Sequence, residues 1–264
     1  MGKFNFKICV FAADFHSFEK RRLQIEAEID QFIIVEWCPS AERNRLSQLS
    51  LQPNSWIFFI DADCRVSKSI ADYINRRIPD LEKSRILAGH YVNPVEASYL
   101  QRVQNLIANA WLQERLIYRK KPALLGGAFL IHSDLQFQFK TNEDSLRFWG
   151  AEDKWIAKNL VSKGYQIIYD PNLVVLHETS SRFSHFIKRA WFHGLNDVSF
   201  LKERFKFQFP TAYFYWIRKI EKLDWHLIPA IVLHFLIQKT AKLIHSIPLW
   251  NRRLKPWRSL NKLN

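Results

Sequence analysis

Two aspartates, Asp61 and Asp63, stand where a buried strand is predicted to end. Residues 56–60 are all apolar and rich in aromatic and β-branched types, which predicts a fully buried strand. In an extended chain, residues i and i+2 share a face, so both carboxylates point the same way at the carboxyl end of this strand. Such paired carboxylates offer hard oxygen ligands to Mn²⁺ or Mg²⁺ that carries phosphate oxygens. A solvated turn is the alternative, because aspartate is common after strands.

An adjacent glycine pair, Gly126 and Gly127, precedes another apolar stretch at residues 128–131. The chain has only seven glycines, so a pair at this position predicts unusual backbone torsions or a close approach to a ligand. A plain bulge or turn is the alternative interpretation.

The segment from Trp149 to Asp153, Trp-Gly-Ala-Glu-Asp, begins a predicted helix that runs through Val161 and stops at Gly164. Acidic residues are favoured in a first helical turn, so capping alone could explain Glu152 and Asp153. The same helix dipole keeps Asp153 ionised, and Trp149 offers a flat apolar face to a sugar ring.

His177 ends a predicted strand at residues 173–176. A lone histidine is usually structural or solvated. At the end of a strand, in a chain with an Asp-x-Asp segment, it is a candidate metal ligand.

In their order and approximate spacing, these four segments resemble a family 2 glycosyltransferase of the GT-A type, over roughly residues 6 to 180. The Trp-Gly-x-Glu-Asp segment is also similar to the galactosyltransferase-type carboxyl-terminal motif. The resemblance implies a metal-dependent, inverting transfer of a sugar from a nucleoside-diphosphate sugar, with a UDP-sugar as the expected donor. The acceptor would be a glycan or a lipid-linked sugar in cell-surface polysaccharide or lipopolysaccharide synthesis.

The resemblance also implies roles for individual residues. Asp63 would bind Mn²⁺ or Mg²⁺ on the donor diphosphate, with His177 as a further metal ligand. Asp153 would be the general base, Glu152 a partner of the acceptor hydroxyl, and Trp149 an acceptor contact. The donor contacts expected from the resemblance and from the predicted strand ends are Asp14, Glu36, Arg43, Asn44, Asp61, Gly126 and Gly127.

The elements that must position these residues alternate between strand and helix. Strands are predicted at residues 7–13, 32–35 and 56–60, with helices at 18–28 and 41–50 between them. This βαβαβ order predicts an α/β fold with a mostly parallel, Rossmann-like sheet flanked by helices. Asp14, Glu36 and Asp61 are expected to gather where these three strands end. No Gly-rich phosphate loop is present, which excludes the dinucleotide-binding and P-loop fingerprints.

Further along the chain, residues 97–119 predict a long amphipathic helix. Its Trp111 and Tyr118 could line a sugar site, but a stripe at helical spacing is more often core. Residues 85–90, 166–169 and 173–176 are predicted strands.

Composition indicates a globular protein of 264 residues, with 48% hydrophobic and 15% aromatic content. The net charge of +14 predicts an anionic partner: a nucleic acid, an acidic membrane surface or a phosphorylated substrate. Three cysteines without paired or metal-ligand spacing indicate a reducing compartment.

The charge is concentrated in the last eighty residues, so the chain is predicted to divide into a catalytic domain, 1–180, and a basic helical region, 181–264. Residues 185–264 hold fifteen Lys and Arg against four Asp and Glu, a net +11, with aromatic residues interleaved. Such a composition is typical of a surface that lies on anionic lipid, with residues 205–217 and 227–249 as the best candidates. A solvated helical face is the plainer alternative.

The longest apolar run, residues 227–237, is too short to span a bilayer. We therefore expect a cytoplasmic protein bound peripherally to the inner membrane. A basic nucleic-acid-binding α/β protein without catalysis is the competing function. It gives no reason for carboxylates to gather at one strand edge, so we expect no nucleic-acid partner.

Overall fold

The computed structural model describes residues 6–12, 14–29, 35–39, 55–133, 152–199 and 225–246. The strands are β1 (Phe6–Ala12), β2 (Val35–Pro39), β3 (Trp56–Asp61), β4 (Cys64–Arg65), β5 (Arg85–Val92), β6 (Phe129–His132) and β7 (Gln166–His177). The α-helices are α1 (Phe15–Glu28), α2 (Lys68–Arg77), α3 (Tyr99–Gln113), α4 (Glu152–Ser162), α5 (Phe183–Ser199) and α6 (Ile228–Ser246). A 3₁₀ turn follows α2 at Ile78–Asp80, a π-helical turn follows α3 at Glu114–Tyr118, and a 3₁₀ turn precedes α6 at Trp225–Leu227. The predicted helices at 41–50 and 205–217 lie outside the described residues.

The described strands form one mixed sheet in the order β2-β1-β3-β6-β5-β7-β4. Strands β1, β2, β3, β5 and β7 run in one direction, whereas β6 and the short β4 run in the other. The predicted α/β architecture, a sheet flanked by helices, is confirmed. The antiparallel β6 in the middle of the sheet makes it mixed, which the βαβαβ rhythm of the first sixty residues did not reveal.

The sheet has to curl at the edge where β3 ends. Strand β4 pairs with β7. In the sheet order, β7 is the third strand from β3, so in a flat sheet the two would lie about 14 Å apart. Only Ala62 and Asp63 separate the end of β3 from β4, and so short a link spans about 10 Å at most. The two-residue connection therefore pulls the carboxyl ends of β3 and β7 together.

The core beneath this edge is aromatic. Phe11, Phe59 and Phe129 stack in sequence across β1, β3 and β6, with ring centroids 5.2 Å and 4.8 Å apart. All three rings are almost completely buried. Stacked aromatic rings stabilise the fold beyond what their burial alone contributes. The strand that carries Asp61 is therefore held in place by well-packed neighbours.

Strand β7 carries the largest irregularity in the sheet. Tyr169 pairs with Ala88 and Val174 with His90, so four residues of β7 bulge out opposite one residue of β5. The two separate strands predicted here are thus one strand interrupted by a bulge. Gly89 makes the bulge possible, because a Cβ at this position would lie 2.2 Å from the Leu173 carbonyl oxygen.

Two boundaries differ from the prediction and move residues of interest. Helix α1 begins at Phe15 rather than at residue 18, because Asp14 caps it. Strand β2 continues to Pro39 rather than ending at Glu36, which places Glu36 inside the strand, level with Cys9 of β1. Proline can end this strand because β2 lies at the margin of the described sheet, where a missing N–H is tolerated. Glu36 therefore does not join Asp61 at the strand ends.

The chain divides into two compact units. The first comprises residues 1–97, 105–140 and 153–179 and contains the sheet. Within it, the part of α3 from Asn105 onward buries Leu106, Ala110 and Leu112, and Trp111 packs partly buried against the core. The second comprises residues 98–104, 141–152 and 180–264.

The second unit contains an α5–α6 helix pair in close contact. A Cβ on Gly194 of α5 would lie 2.2 Å from the Gln238 carbonyl oxygen of α6, so only glycine fits at the crossing. The helical stretch Trp225–His245 has a mean hydropathy of 1.5 and is long enough to cross a membrane. About a third of its most apolar 18-residue segment is buried inside the protein. The apolar run at 227–237 belongs to this longer helix, so the shortness of the run no longer excludes a crossing.

Candidate functional site

The candidate site lies at the curled edge of the sheet, where β3, β5 and β7 end. Asp61 is the last residue of β3, and Asp63 follows in the turn that leads into β4. Cys64 of β4 pairs in register with His177, the last residue of β7. The Glu178 N–H also donates to the Asp63 carbonyl oxygen at 2.7 Å, which joins the two strand ends beyond the register pair. Two segments that lie more than a hundred residues apart are thus held side by side.

His177 is oriented by a buried amide. The side chain of Asn105 donates from Nδ2 to Asn93 Oδ1 at 2.9 Å and to the His177 carbonyl oxygen at 3.2 Å. Its Oδ1 is therefore left to accept a hydrogen bond from His177 Nδ1 at 2.5 Å. This network assigns a ring proton to Nδ1 and directs Nε2 toward Asp63.

The second ring nitrogen, Nε2, faces a carboxylate. His177 Nε2 lies 3.3 Å from Asp63 Oδ2, with His177 almost completely buried and Asp63 about half exposed. Two lone pairs repel at this distance unless a proton or a cation lies between them. Neighbouring ligands of an octahedral ion at about 2.1 Å lie about 3 Å apart, so the pair fits a divalent ion that enters from the solvent side. A ligand histidine that donates its other ring N–H to an oxygen acceptor is the usual arrangement around bound metals.

Cys64 completes a cluster of three potential ligand atoms with Asp63 and His177, all within 4.8 Å of one another. Its thiol is fully buried and lies 4.0 Å from Asp63 Oδ1. Burial raises the pKa of the Cys64 thiol well above its usual value, and the negative charges of Asp63 and Asp61 raise it further. A protonated thiol is a poor ligand for a hard cation, so Asp63 and His177 are the better ligand pair.

The glycine pair reaches the same edge because β6 runs antiparallel. A Cβ on Gly127 would lie 2.7 Å from Cys64 Sγ and 3.1 Å from Asp61 Oδ2. The glycine is thus required by close approach to the Asp-x-Asp turn itself, whereas the sequence suggested a ligand or unusual torsions. The Gly127 N–H donates to the Tyr91 hydroxyl at 3.2 Å, and the Tyr91 ring stacks on His177 with centroids 4.0 Å apart.

Three segments of the sequence motif therefore meet here: Asp61 and Asp63, Gly127, and His177. The fourth begins α4, where Glu152 is the first helical residue and Asp153, whose side chain is partly buried, is the second. Gly164, at φ +91°, ends the helical segment and turns the chain into β7 within four residues. A helix that packs on a sheet and turns so tightly into the next strand usually runs back along the strands, so we expect Asp153 toward the edge where β3 and β7 end.

The remaining predicted residues stand as follows. Asp14 caps α1 through a 2.8 Å hydrogen bond from the Ser17 N–H, and this bond holds the pKa of Asp14 below its usual value. Gly126 lies in the turn before β6. The side chains of Glu36 and Glu152 and the whole of Arg43, Asn44 and Trp149 lie outside the described residues.

Sequence reasoning missed the buried polar residues that hold the site. Arg21 of α1 contacts both the Asp-x-Asp turn and Glu178, and Asn105 and Tyr91 fix His177. One signal was available for Arg21. It lies three residues after Phe18 and four before Ile25, on the buried face of α1, where a charged residue needs a partner.

Comparison with protein-family models and with curated proteins finds no match.

Proposed function

We propose that the protein is a metal-dependent, inverting glycosyltransferase of the GT-A type that uses a nucleoside-diphosphate sugar. The convergence of Asp61, Asp63, Gly127 and His177 at one sheet edge is the observation that carries this proposal. The residues come from three distant segments, and they are those that the resemblance singles out. Ligands of α/β sheets bind at the carboxyl ends of the strands, which is the edge these residues occupy.

Asp63 and His177 would hold a divalent ion, which when bound neutralises charge on the diphosphate of the donor. Mn²⁺ suits this pair better than Mg²⁺ because one of the two ligands is an imidazole nitrogen. Asp61, beside them at the end of β3, would contact the ribose or the water shell of the ion. Gly127 lies against Asp61 and would leave room for the donor sugar.

Asp153 would act as the base. The acceptor hydroxyl transfers its proton to the Asp153 carboxylate while its oxygen forms a bond to the anomeric carbon of the sugar. The bond from that carbon to the diphosphate oxygen breaks, and its electron pair leaves with the diphosphate. One base and one displacement invert the configuration, whereas retention by double displacement would require a carboxylate nucleophile.

Calorimetric titration with UDP, GDP, CDP and dTDP, each with and without Mn²⁺, tests the donor site. We expect one nucleotide, UDP, to bind in the presence of Mn²⁺ and to bind much more weakly without it. The reason is that the two aspartates repel a diphosphate unless a cation lies between them.

Mg²⁺ in place of Mn²⁺ serves as the control for the ligand set, and we expect weaker nucleotide binding with it. If none of the four nucleotides bound in a metal-dependent manner, the proposed function would be wrong. Binding of all four with equal affinity would support a diphosphate site without a nucleoside site.

We further propose that the protein works at the cytoplasmic face of the inner membrane, on a glycan or lipid-linked acceptor. Two features support contact with anionic lipid. Residues 185–264 carry a net +11, and α6 with its preceding turn exposes Trp225, Leu236 and Leu243 while burying Ile231 and Ala241. Exposed apolar side chains on a helix, in a region of net positive charge, are typical of segments that lie in the interface of an anionic membrane.

Flotation with liposomes tests the membrane contact. We expect the protein to float with vesicles that contain anionic phospholipid, and to float less as salt rises from low to moderate concentration. Leu236→Glu should reduce flotation, because it removes apolar area and adds a repelled charge. Leu23→Glu, at an equally exposed leucine on α1, is the matched control. Absence of flotation at moderate salt would refute the membrane contact and leave the donor site untouched.

A further inference from the structure

Arg21 is a buried cation that joins the two chain segments of the candidate metal centre. Only 5% of the residue is exposed, although it lies on a helix whose other face is solvated. Its Nε donates to the Ala62 carbonyl oxygen at 2.8 Å, and its Nη2 donates to Glu178 Oε2 at 3.0 Å. Its Nη1 donates to Gln24 Oε1 at 2.9 Å, so all three guanidinium nitrogens are engaged.

The two contacts have a specific place in the chain. Ala62 lies between Asp61 and Asp63, and Glu178 directly follows His177. One planar group thus connects the Asp-x-Asp turn with the end of β7, each at the residue next to a candidate ligand. No atom of Arg21 needs to touch the ion for this connection to determine how far Asp63 Oδ2 lies from His177 Nε2.

The charge of Arg21 is balanced within the same network. Glu178 also accepts from Arg65 at 3.3 Å, and Arg65 pairs with Glu28 at 2.7 Å. Two arginines and two glutamates therefore alternate from α1 to β4 and the end of β7. A buried cation persists only when its charge is paired and its nitrogens are hydrogen-bonded, and for Arg21 its charge is paired and each of its three nitrogens donates a hydrogen bond.

We infer that Arg21 is a positioning residue for the metal centre: it holds the Asp-x-Asp turn and the His177–Glu178 segment at the separation that a divalent ion requires. This inference rests on the proposed function, because it assumes that Asp63 and His177 bind the ion. An arginine is required because its fixed fork reaches two acceptors at once, whereas a lysine ammonium is a single point.

The test measures Mn²⁺ binding to the full-length protein without substrate. Free Mn²⁺ is followed by EPR, and pulsed EPR records the nitrogen hyperfine coupling of a coordinated imidazole. We expect Arg21→Lys to fold, to bind Mn²⁺ roughly 10- to 100-fold more weakly, as outer-shell changes do, and to show a reduced nitrogen coupling although His177 is intact. Arg22→Lys is the matched control, because Arg22 pairs with Glu19 and Glu26 on the surface of the same helix.

Glu178→Gln provides a second variant that keeps the Arg21 contact to Ala62 and removes the charge of the other partner. We expect it to weaken Mn²⁺ binding as well, by less than Arg21→Lys, and it keeps the inference testable if Arg21→Lys fails to fold. Wild-type affinity and nitrogen coupling in a folded Arg21→Lys protein would overturn the positioning role. Absence of Mn²⁺ binding by the wild-type protein would instead overturn the proposed metal site, and the two failures are therefore distinguishable.

Discussion

Replacing Asp63 with alanine is expected to abolish Mn²⁺-dependent nucleotide binding. The Asp63 carboxylate lies 3.3 Å from His177 Nε2, and the substitution leaves that nitrogen without its partner ligand. The loss of Mn²⁺ affinity should exceed the roughly 10- to 100-fold that outer-shell substitutions cost, because a ligand itself is removed. Calorimetric titration of UDP in the presence of Mn²⁺, with EPR of free Mn²⁺ in parallel, measures the effect.

Two comparisons make this result specific. Asp80→Ala removes an exposed carboxylate from the 3₁₀ turn after α2, with the whole of α2 between it and the Asp-x-Asp turn along the chain, and should leave Mn²⁺ binding unchanged. His177→Ala should reproduce the loss of affinity together with the loss of nitrogen coupling in pulsed EPR. If Asp63→Ala kept its metal-dependent nucleotide binding, Asp63 would not be a metal ligand.

The parts of the fold that the sequence predicts are those with local signals. The apolar stretch before Asp61 specifies a buried strand, and the spacing of apolar residues from Val103 to Leu112 specifies a helix with a buried face. The antiparallel direction of β6 has no such local signal. The same four residues could equally form a parallel strand, so their sequence does not indicate the strand direction. Only their pairing with both β3 and β5 sets it.

The same distinction holds at the site. Asp61, Asp63, Gly127 and His177 were predicted from local features of the sequence: paired carboxylates and a histidine that follow apolar strands, and a glycine pair that precedes one. Arg21 and Asn105 were not, because their partners are Glu178 and His177, 157 and 72 residues away in sequence. A buried polar residue at an apolar helical position signals that a partner exists without identifying it. The prediction that Glu36 lies at the end of β2 was wrong for a related reason. Its distance from that end depends on how far Trp37 to Pro39 continue to pair with β1.

The proposed base leads to the second large expected effect: Asp153→Asn should leave nucleotide binding intact and abolish sugar transfer. The asparagine side chain matches the carboxylate in size but cannot accept the proton of the acceptor hydroxyl. Asp153 occupies the first turn of α4, where the helix dipole favours the ionised carboxylate that a base requires. A positioned base contributes about 10²- to 10⁴-fold to the rate, so transfer should fall by this factor. Single-turnover transfer from the nucleotide sugar that calorimetry selects measures the rate.

The separation of binding from chemistry distinguishes this prediction from that for Asp63. Asp153→Asn should titrate with UDP and Mn²⁺ as the wild-type protein does, whereas Asp63→Ala should not. Lys158→Gln, at an exposed position on the same helix, serves as the control for a charge change in α4 and should retain transfer. An Asp153→Asn protein that kept most of its transfer rate would mean that another group takes the proton, and Glu152, the adjacent carboxylate in the same helical turn, would be the residue to substitute next.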